Sequence, residues 1–222
     1  MAAVLTFRMQ RGQIAIYKIF LEIKFMNKTI LATILALMVG CGGCYAELET
    51  DPPLSNDAEE DDRSWATWES CSQNIGDHPC DFTLTDQDGD EVSLYDFYGK
   101  TIVLDFSTGW CGYCQVAAQE VQGVQDLYGE SDFAYITIMI ETHSGSEPDE
   151  DYVSDWADAF EITTAPVLAG NRDMIDQDPA LGWPVSAWPT FIFIKEDMTI
   201  HTELRGYSSQ MILNLIEDTI NN

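Results

Sequence analysis

The sharpest chemical feature of the chain is Trp110-Cys111-Gly112-Tyr113-Cys114. Two thiols with two residues between them sit close enough to bond without moving the backbone. The pair follows an apolar stretch, Thr101 to Phe106 (TIVLDF), and opens a segment with helical spacing. A helix N-terminus carries unpaired N–H groups and a partial positive charge, and both stabilise a thiolate. Cys111, at the helix mouth, is therefore the expected exposed nucleophile. Cys114, one turn inward, is expected to resolve the mixed disulfide. A zinc site would want a second pair, and Cys41-Gly42-Gly43-Cys44 lies in the leader, so no metal is expected. A haem-attachment motif needs histidine after the second cysteine, where Gln115 stands.

Two further residues fit the same chemistry. Asp105 interrupts the apolar stretch before the cysteines, and a buried carboxylate is costly unless it is used. Behind Cys114 it would accept or return that thiol's proton; the alternative is a polar residue at a strand end, facing solvent. Pro189, in Ala187-Trp188-Pro189-Thr190, begins another apolar stretch. A cis peptide there would set the backbone of Trp188 against the sulfurs, ready to pair with an extended substrate chain; the alternative is a plain strand-initiating proline. Cys71 and Cys80 flank a short loop and read as a structural disulfide, with a second redox relay to Cys111 as the alternative. His78, His143 and His201 have no spacing that suggests a site and are expected on surfaces or loops.

The elements that must position these groups are legible as patterns. DFTLT, from Asp81 to Thr85, alternates and turns at Asp88-Gly89 into Glu91 to Leu94, a short hairpin. Thr101–Phe106, Phe133–Ile140 and Thr190–Ile194 read as buried strands, and Thr199–Arg205 as an edge strand. Cys114–Tyr128 carries Val116, Ala117, Val121, Val124 and Leu127 at helical spacing. Glu147–Phe160 reads as an acidic helix, and Ser208 or Ser209 caps a last helix. The layout is an α/β fold with a central mixed sheet flanked by helices.

The first part of the chain reads differently. Ile30 to Val39 is an apolar run too short to span a bilayer but suited to a signal-peptide core, with Lys28 before it and Met26 as an alternative start. It ends in Leu37-Met38-Val39-Gly40-Cys41, which resembles a bacterial lipobox and makes Cys41 the expected lipidation site; ordinary cleavage nearby is the alternative. Residues 42–66 are acidic, Pro-containing and poor in large apolar side chains, the composition of a disordered spacer. The organisation is thus an export segment at 1–41, a spacer at 42–66 and one folded domain at 67–222.

The net charge is −28, and all but one of the 38 acids lie beyond Cys41. Such a surface repels phosphate backbones, so nucleic acid is not an expected partner. Cysteines in pairs suit an oxidising compartment, here the cell envelope.

From about Pro79 onward, the strings DFTLTDQDGDEVSLYDFYGK, TIVLDFSTGWCGYC and WPTFIFI resemble the thioredoxin-like superfamily, in its TlpA/ResA/redoxin branch. The resemblance implies a thioredoxin fold with an N-terminal hairpin and an acidic helical insertion. It places the Trp-Cys-x-x-Cys motif at Trp110, Cys111 and Cys114, the buried aspartate at Asp105 and the cis-proline at Pro189. It implies exchange with protein thiols and disulfides outside the cytoplasm, without cofactor, fed by an upstream membrane or thioredoxin-like electron donor. The Gly-Tyr dipeptide departs from the Gly-Pro of thioredoxin. Ala117 stands where maturation proteins of the branch often carry an acid, and the stretch from Thr142 to Ala187 is longer than thioredoxin's. Two other readings stay open. A thiol peroxidase would use Thr108, three residues before Cys111, although Leu104 stands where its motif has proline. A binding module would hold a partner, or a metal such as copper, through two thiolates without turnover.

Overall fold

The computed structural model of the chain describes residues 63–129 and 132–222. The export segment, Cys41 and the spacer as far as residue 62 lie outside the described residues.

A hairpin of β1 (Thr83–Thr85) and β2 (Glu91–Ser93) precedes the main sheet. The main sheet holds β3 (Thr101–Thr108), β4 (Phe133–Glu141), β5 (Val167–Ala169), β6 (Thr190–Ile194) and β7 (Ile200–Arg205) in the order β5-β4-β3-β6-β7. β3 runs parallel to β4 and antiparallel to β6, so the sheet is mixed. Helix α1 (Gly112–Tyr128) connects β3 to β4, α2 (Glu150–Ala159) precedes β5, and α3 (Ser209–Asn221) closes the chain. This is the thioredoxin fold.

Alternation along the strands divides the core into two layers. Val103, Tyr135, Met139, Phe191 and Phe193 pack with Ala117, Ala118 and Val121 of α1, Trp156 of α2, and Ile212 and Ile216 of α3. Ile102, Leu104, Phe106, Ile136, Ile138 and Ile192 pack with Leu94, Trp183 and Val185, with the hairpin and the N-terminal tryptophans against them. β3 is buried at every position, as expected of a central strand clothed on both faces.

Several expectations are corrected. The sequence predicts Val116 and Leu127 on the apolar face of α1, but both are exposed; Ala117, Ala118, Val121 and Gln125 supply the buried stripe. The acidic helix starts at Glu150, because Asp149 accepts a hydrogen bond from the Tyr152 N–H and caps it there. Ser208 occupies the N-cap position of α3 without making a side-chain cap bond. β5 is absent from the sequence reading, since three residues between glycine- and proline-bearing loops carry too little pattern to be read as a strand. Residues 63–66, assigned by composition to the spacer, include two that pack on the domain. Arg63 pairs with Asp81 and donates to Ser93, and Trp65 stacks on Tyr98 with ring centroids 3.9 Å apart. Asp81 also accepts from the Ser93 hydroxyl and the Tyr95 N–H, so one carboxylate fastens the N-terminal segment to the hairpin and the turn after it.

The shortness of β5 leaves part of β4 without a strand on that side. Gln125 replaces the missing ladder: its Oε1 accepts the Tyr135 N–H at 2.7 Å and its Nε2 donates to the Phe133 carbonyl at 3.3 Å. A buried backbone donor left unpaired costs about 1–3 kcal/mol. Gln125→Leu should therefore lower unfolding free energy by about 2 kcal/mol, read from urea denaturation, with the m-value unchanged.

Candidate active site

β3 ends at Thr108, where the pairing register with β4 shifts, and the chain turns sharply into α1. The turn is held by backbone bonds: the Gly109 N–H donates to the Glu141 carbonyl at 2.8 Å, and the Cys111 N–H to the Thr108 carbonyl at 3.2 Å. Gln115 reaches back to the Gly109 carbonyl at 2.8 Å. Gly109 has no room for a side chain, because a Cβ would stand 2.6 Å from the His143 backbone nitrogen and 1.9 Å from Tyr152 Oη. The acidic helix thus presses its Tyr152, itself hydrogen-bonded to His143 Nδ1 at 2.8 Å, onto the turn that presents the cysteines.

Cys111 is the N-cap of α1, with extended backbone, and its Sγ accepts the Cys114 N–H at 3.2 Å. The sulfur sits where the unpaired N–H groups and the positive end of the helix dipole converge. Both thiols are free. The sequence predicts an exposed Cys111; the structure leaves it only 7% exposed, and Cys114 is fully enclosed. Cys111 is the more accessible of the two thiols.

Asp105 lies in the middle of β3, 1% exposed, on the face that α1 covers. Its Oδ1 accepts the Ser107 hydroxyl at 2.7 Å and its Oδ2 the Tyr135 hydroxyl at 3.3 Å. Burial pushes its carboxyl from the ordinary 3.8 up to about 7, against the opposing pull of those two donors. Burial also pushes the Cys114 thiol well up, and the negative charge of Asp105 pushes it further. The two groups therefore resist being ionised together. The alternative of a solvent-facing strand end does not hold for this residue.

The Trp188–Pro189 peptide bond is cis. The loop around it is tied by Thr190 Oγ1 donating to the Ala187 carbonyl at 2.8 Å and by the Gly206 N–H donating to the Pro189 carbonyl at 2.8 Å. Trp110, half exposed, meets Trp188 edge-on with centroids 6.4 Å apart. The Trp110 Nε1–H donates to Glu141 Oε2 at 2.7 Å, Arg172 Nε donates to Glu141 Oε1 at 2.7 Å, and the Arg172 guanidinium lies 5.5 Å from the centre of the Trp188 ring. The Arg172 hydrogen bond holds the Glu141 carboxyl below its ordinary value. Glu141 and Arg172 are missed by the sequence reading. The available signal was Glu141 ending a buried strand parallel to β3, at the end of the sheet where the chain turns into the cysteines.

Other residues named from sequence lie elsewhere. Cys71 and Cys80 are joined to each other by a disulfide. His78 stacks on Trp68, and His201 pairs with Asp218.

Fold and site together define a thiol–disulfide oxidoreductase of the thioredoxin type. The model of the AhpC/TSA family matches residues 75–202, and the chain belongs to that family. It is 26% identical over 145 residues to the thiol–disulfide oxidoreductase ResA of Halalkalibacterium halodurans, covering 64% of this chain and 75% of that one. Among solved structures, the thioredoxin domain of a thiol–disulfide oxidoreductase from Bacteroides vulgatus superposes with a TM-score of 0.53 at 17% identity, covering 66% of this chain and 99% of that one. An exposed lipoprotein thioredoxin from Streptococcus pneumoniae superposes with a TM-score of 0.50 at 24% identity, covering 63% and 99%.

Asp105 also predicts a pH dependence of stability. Its carboxyl is raised on folding, so the native state holds a proton that the unfolded chain releases near 3.8. This contribution is fully present below that pH, declines as pH rises, and is lost above about 7. Asp105→Asn should flatten the decline of unfolding free energy across that window, measured by urea titration of the reduced protein at successive pH values.

Proposed function

We propose that this chain is an extracytoplasmic thiol–disulfide oxidoreductase that exchanges electrons with protein disulfides through Cys111 and Cys114. The observation that carries the reading is the hydrogen bond from the Cys114 N–H to Cys111 Sγ at 3.2 Å, at the first turn of a helix, with Cys114 enclosed behind it.

In the reducing direction, the Cys111 thiolate attacks one sulfur of a substrate disulfide. The substrate's S–S bond breaks, one substrate sulfur leaves as a thiolate, and the other joins Cys111 in a mixed disulfide. Cys114 gives its proton to the Asp105 carboxylate and attacks Cys111 Sγ, releasing the second substrate sulfur. The substrate gains two electrons and the protein is left with a Cys111–Cys114 disulfide, which an upstream dithiol donor must reduce again. Run backwards, the same steps oxidise a substrate dithiol. Trp110 and the backbone ahead of Pro189 flank the opening and would seat an extended substrate segment.

The extracytoplasmic assignment rests on the signal-like segment ending at Cys41, on the paired cysteines and on the pneumococcal protein's description as an exposed lipoprotein. In this reading Cys41 carries the lipid that anchors the protein to the cell envelope, and the acidic stretch after it holds the domain away from the membrane. The Cys71–Cys80 disulfide then has a structural role, closing a small loop ahead of β1. A peroxidase is a second reading within the same family. The feature in its favour is Thr108, fully buried beside the cysteine turn, whose hydroxyl has no hydrogen-bond partner among the described residues. Consumption of hydrogen peroxide by the reduced protein separates the two.

Cys111→Ser should abolish reduction of insulin disulfides, and unchanged turnover would sink the assignment. Cys114→Ser should instead accumulate a mixed disulfide with substrate, visible by non-reducing electrophoresis and reversed by dithiothreitol.

A further inference from the structure

The exchange reaction needs Asp105 to lose and regain a proton while sealed from solvent. Two hydroxyls hold it, one on each carboxyl oxygen: Ser107 Oγ at 2.7 Å and Tyr135 Oη at 3.3 Å. Tyr135 is itself enclosed, 2% exposed, on the strand next to Asp105, and its own backbone N–H is pinned by Gln125. Its ring is thus positioned from the backbone outward. We propose that Tyr135 and Ser107 are positioning residues that set the pH at which Asp105 gives up its proton, and hence the pH at which Cys114 can resolve a mixed disulfide.

The physical argument is one of solvation. A carboxylate removed from water has lost the donors that stabilised its charge. Where the protein returns two, the ionised form is favoured again. Burial is the larger effect on Asp105 and keeps its carboxyl high, and the two hydroxyls pull it part of the way back down, in favour of the carboxylate. Without them the carboxylate would form only in more alkaline solution, and Cys114 would lack a base near neutral pH.

The surroundings offer few competitors. Asp105 faces the Cys114 thiol from α1. Its register neighbours, Thr137 on β4 and Phe191 on β6, do not ionise. Tyr135 in turn feels Tyr207 and Glu120, which are hydrogen-bonded to each other, and Asp105; together with burial these keep its hydroxyl protonated and able to donate. The resolving step then balances as follows. The S–H proton of Cys114 passes to the Asp105 carboxylate, whose charge the two hydroxyls have stabilised. The Cys114 sulfur bonds to Cys111 Sγ, and the bond from Cys111 to the substrate sulfur breaks with its electron pair on the substrate. Tyr135 and Ser107 keep their own protons throughout.

This inference rests on the exchange reading, and its test separates the two. The reduced full-length protein is labelled with ¹³C-carboxyl aspartate, and Asp105 is assigned by comparison with Asp105→Asn. Its titration is then followed in wild type, Tyr135→Phe and Ser107→Ala, with Tyr128→Phe as a control tyrosine hydroxyl placed on Glu217 instead. The wild-type midpoint should lie near 7. Each site variant should raise it by about one pH unit, and the control should leave it in place. The acid limb of the insulin-reduction rate should move up by the same amount, with the alkaline plateau retained. A midpoint that stays put in the folded variants, or a uniform rate loss at every pH with the limb unmoved, overturns the proposal. If wild type reduces no disulfide, the exchange reading fails while the carboxyl midpoints still report on the hydroxyls. Should Tyr135→Phe not fold, Ser107→Ala carries the same readouts.

Discussion

Everything in this molecule hangs on β3 being buried along its whole length while carrying a carboxylate in its middle. Such a strand can exist only at the centre of a sheet that is clothed on both faces. Parallel β4 on one side and antiparallel β6 on the other supply the pairing, and helices on one face with the hairpin, Trp183 and Val185 on the other supply the cover. The cost of Asp105 is met locally, by Ser107 from its own strand and Tyr135 from the next. A strand placed this way also ends where a helix can begin, and the two cysteines occupy that join.

The long segment between β4 and β6 has two effects on that join. Its acidic helix delivers Tyr152 onto the turn at Gly109, where the absence of a Cβ lets the loop and the tyrosine approach. Further along, Arg172 reaches Glu141 at the end of β4 and lies over Trp188, while Glu141 takes the indole N–H of Trp110. One carboxylate thereby connects Trp110, the residue before Cys111, with the loop before the cis-proline. On a strongly acidic chain, this cation is spent on fixing the rim of the opening rather than on general solubility.

Glutamine side chains do similar work where strands run short. Gln125 serves β4 beyond the reach of β5, Gln87 accepts the Val167 N–H at 2.7 Å, and Gln122 accepts the N–H groups of Thr163 and Thr164. Gln125 thus serves backbone groups of β4 that the three-residue β5 does not reach, Gln87 covers an outward N–H of the edge strand β5, and Gln122 fixes the loop that leads into it.

What the residues determine by themselves is whatever depends on near neighbours in sequence. The spacing of Cys111 and Cys114, the apolar runs of β3, β4 and β6, the turn at Asp88-Gly89 and the alternation of the hairpin are local patterns, and each led to an element at its expected place. The buried position of Asp105 could be anticipated because one charge in an apolar run has few affordable locations. What only the folded chain decided depends on partners distant in sequence. Nothing in the order of residues shows that Tyr135 would donate to Asp105, that Glu141 and Arg172 would bridge Trp110 and Trp188, or that Arg63 and Trp65, in an acidic low-complexity context, would fasten to Asp81 and Tyr98. Those contacts exist because the sheet sets strands side by side in one register and the loops close over its end, so that groups far apart along the chain come within a few ångströms.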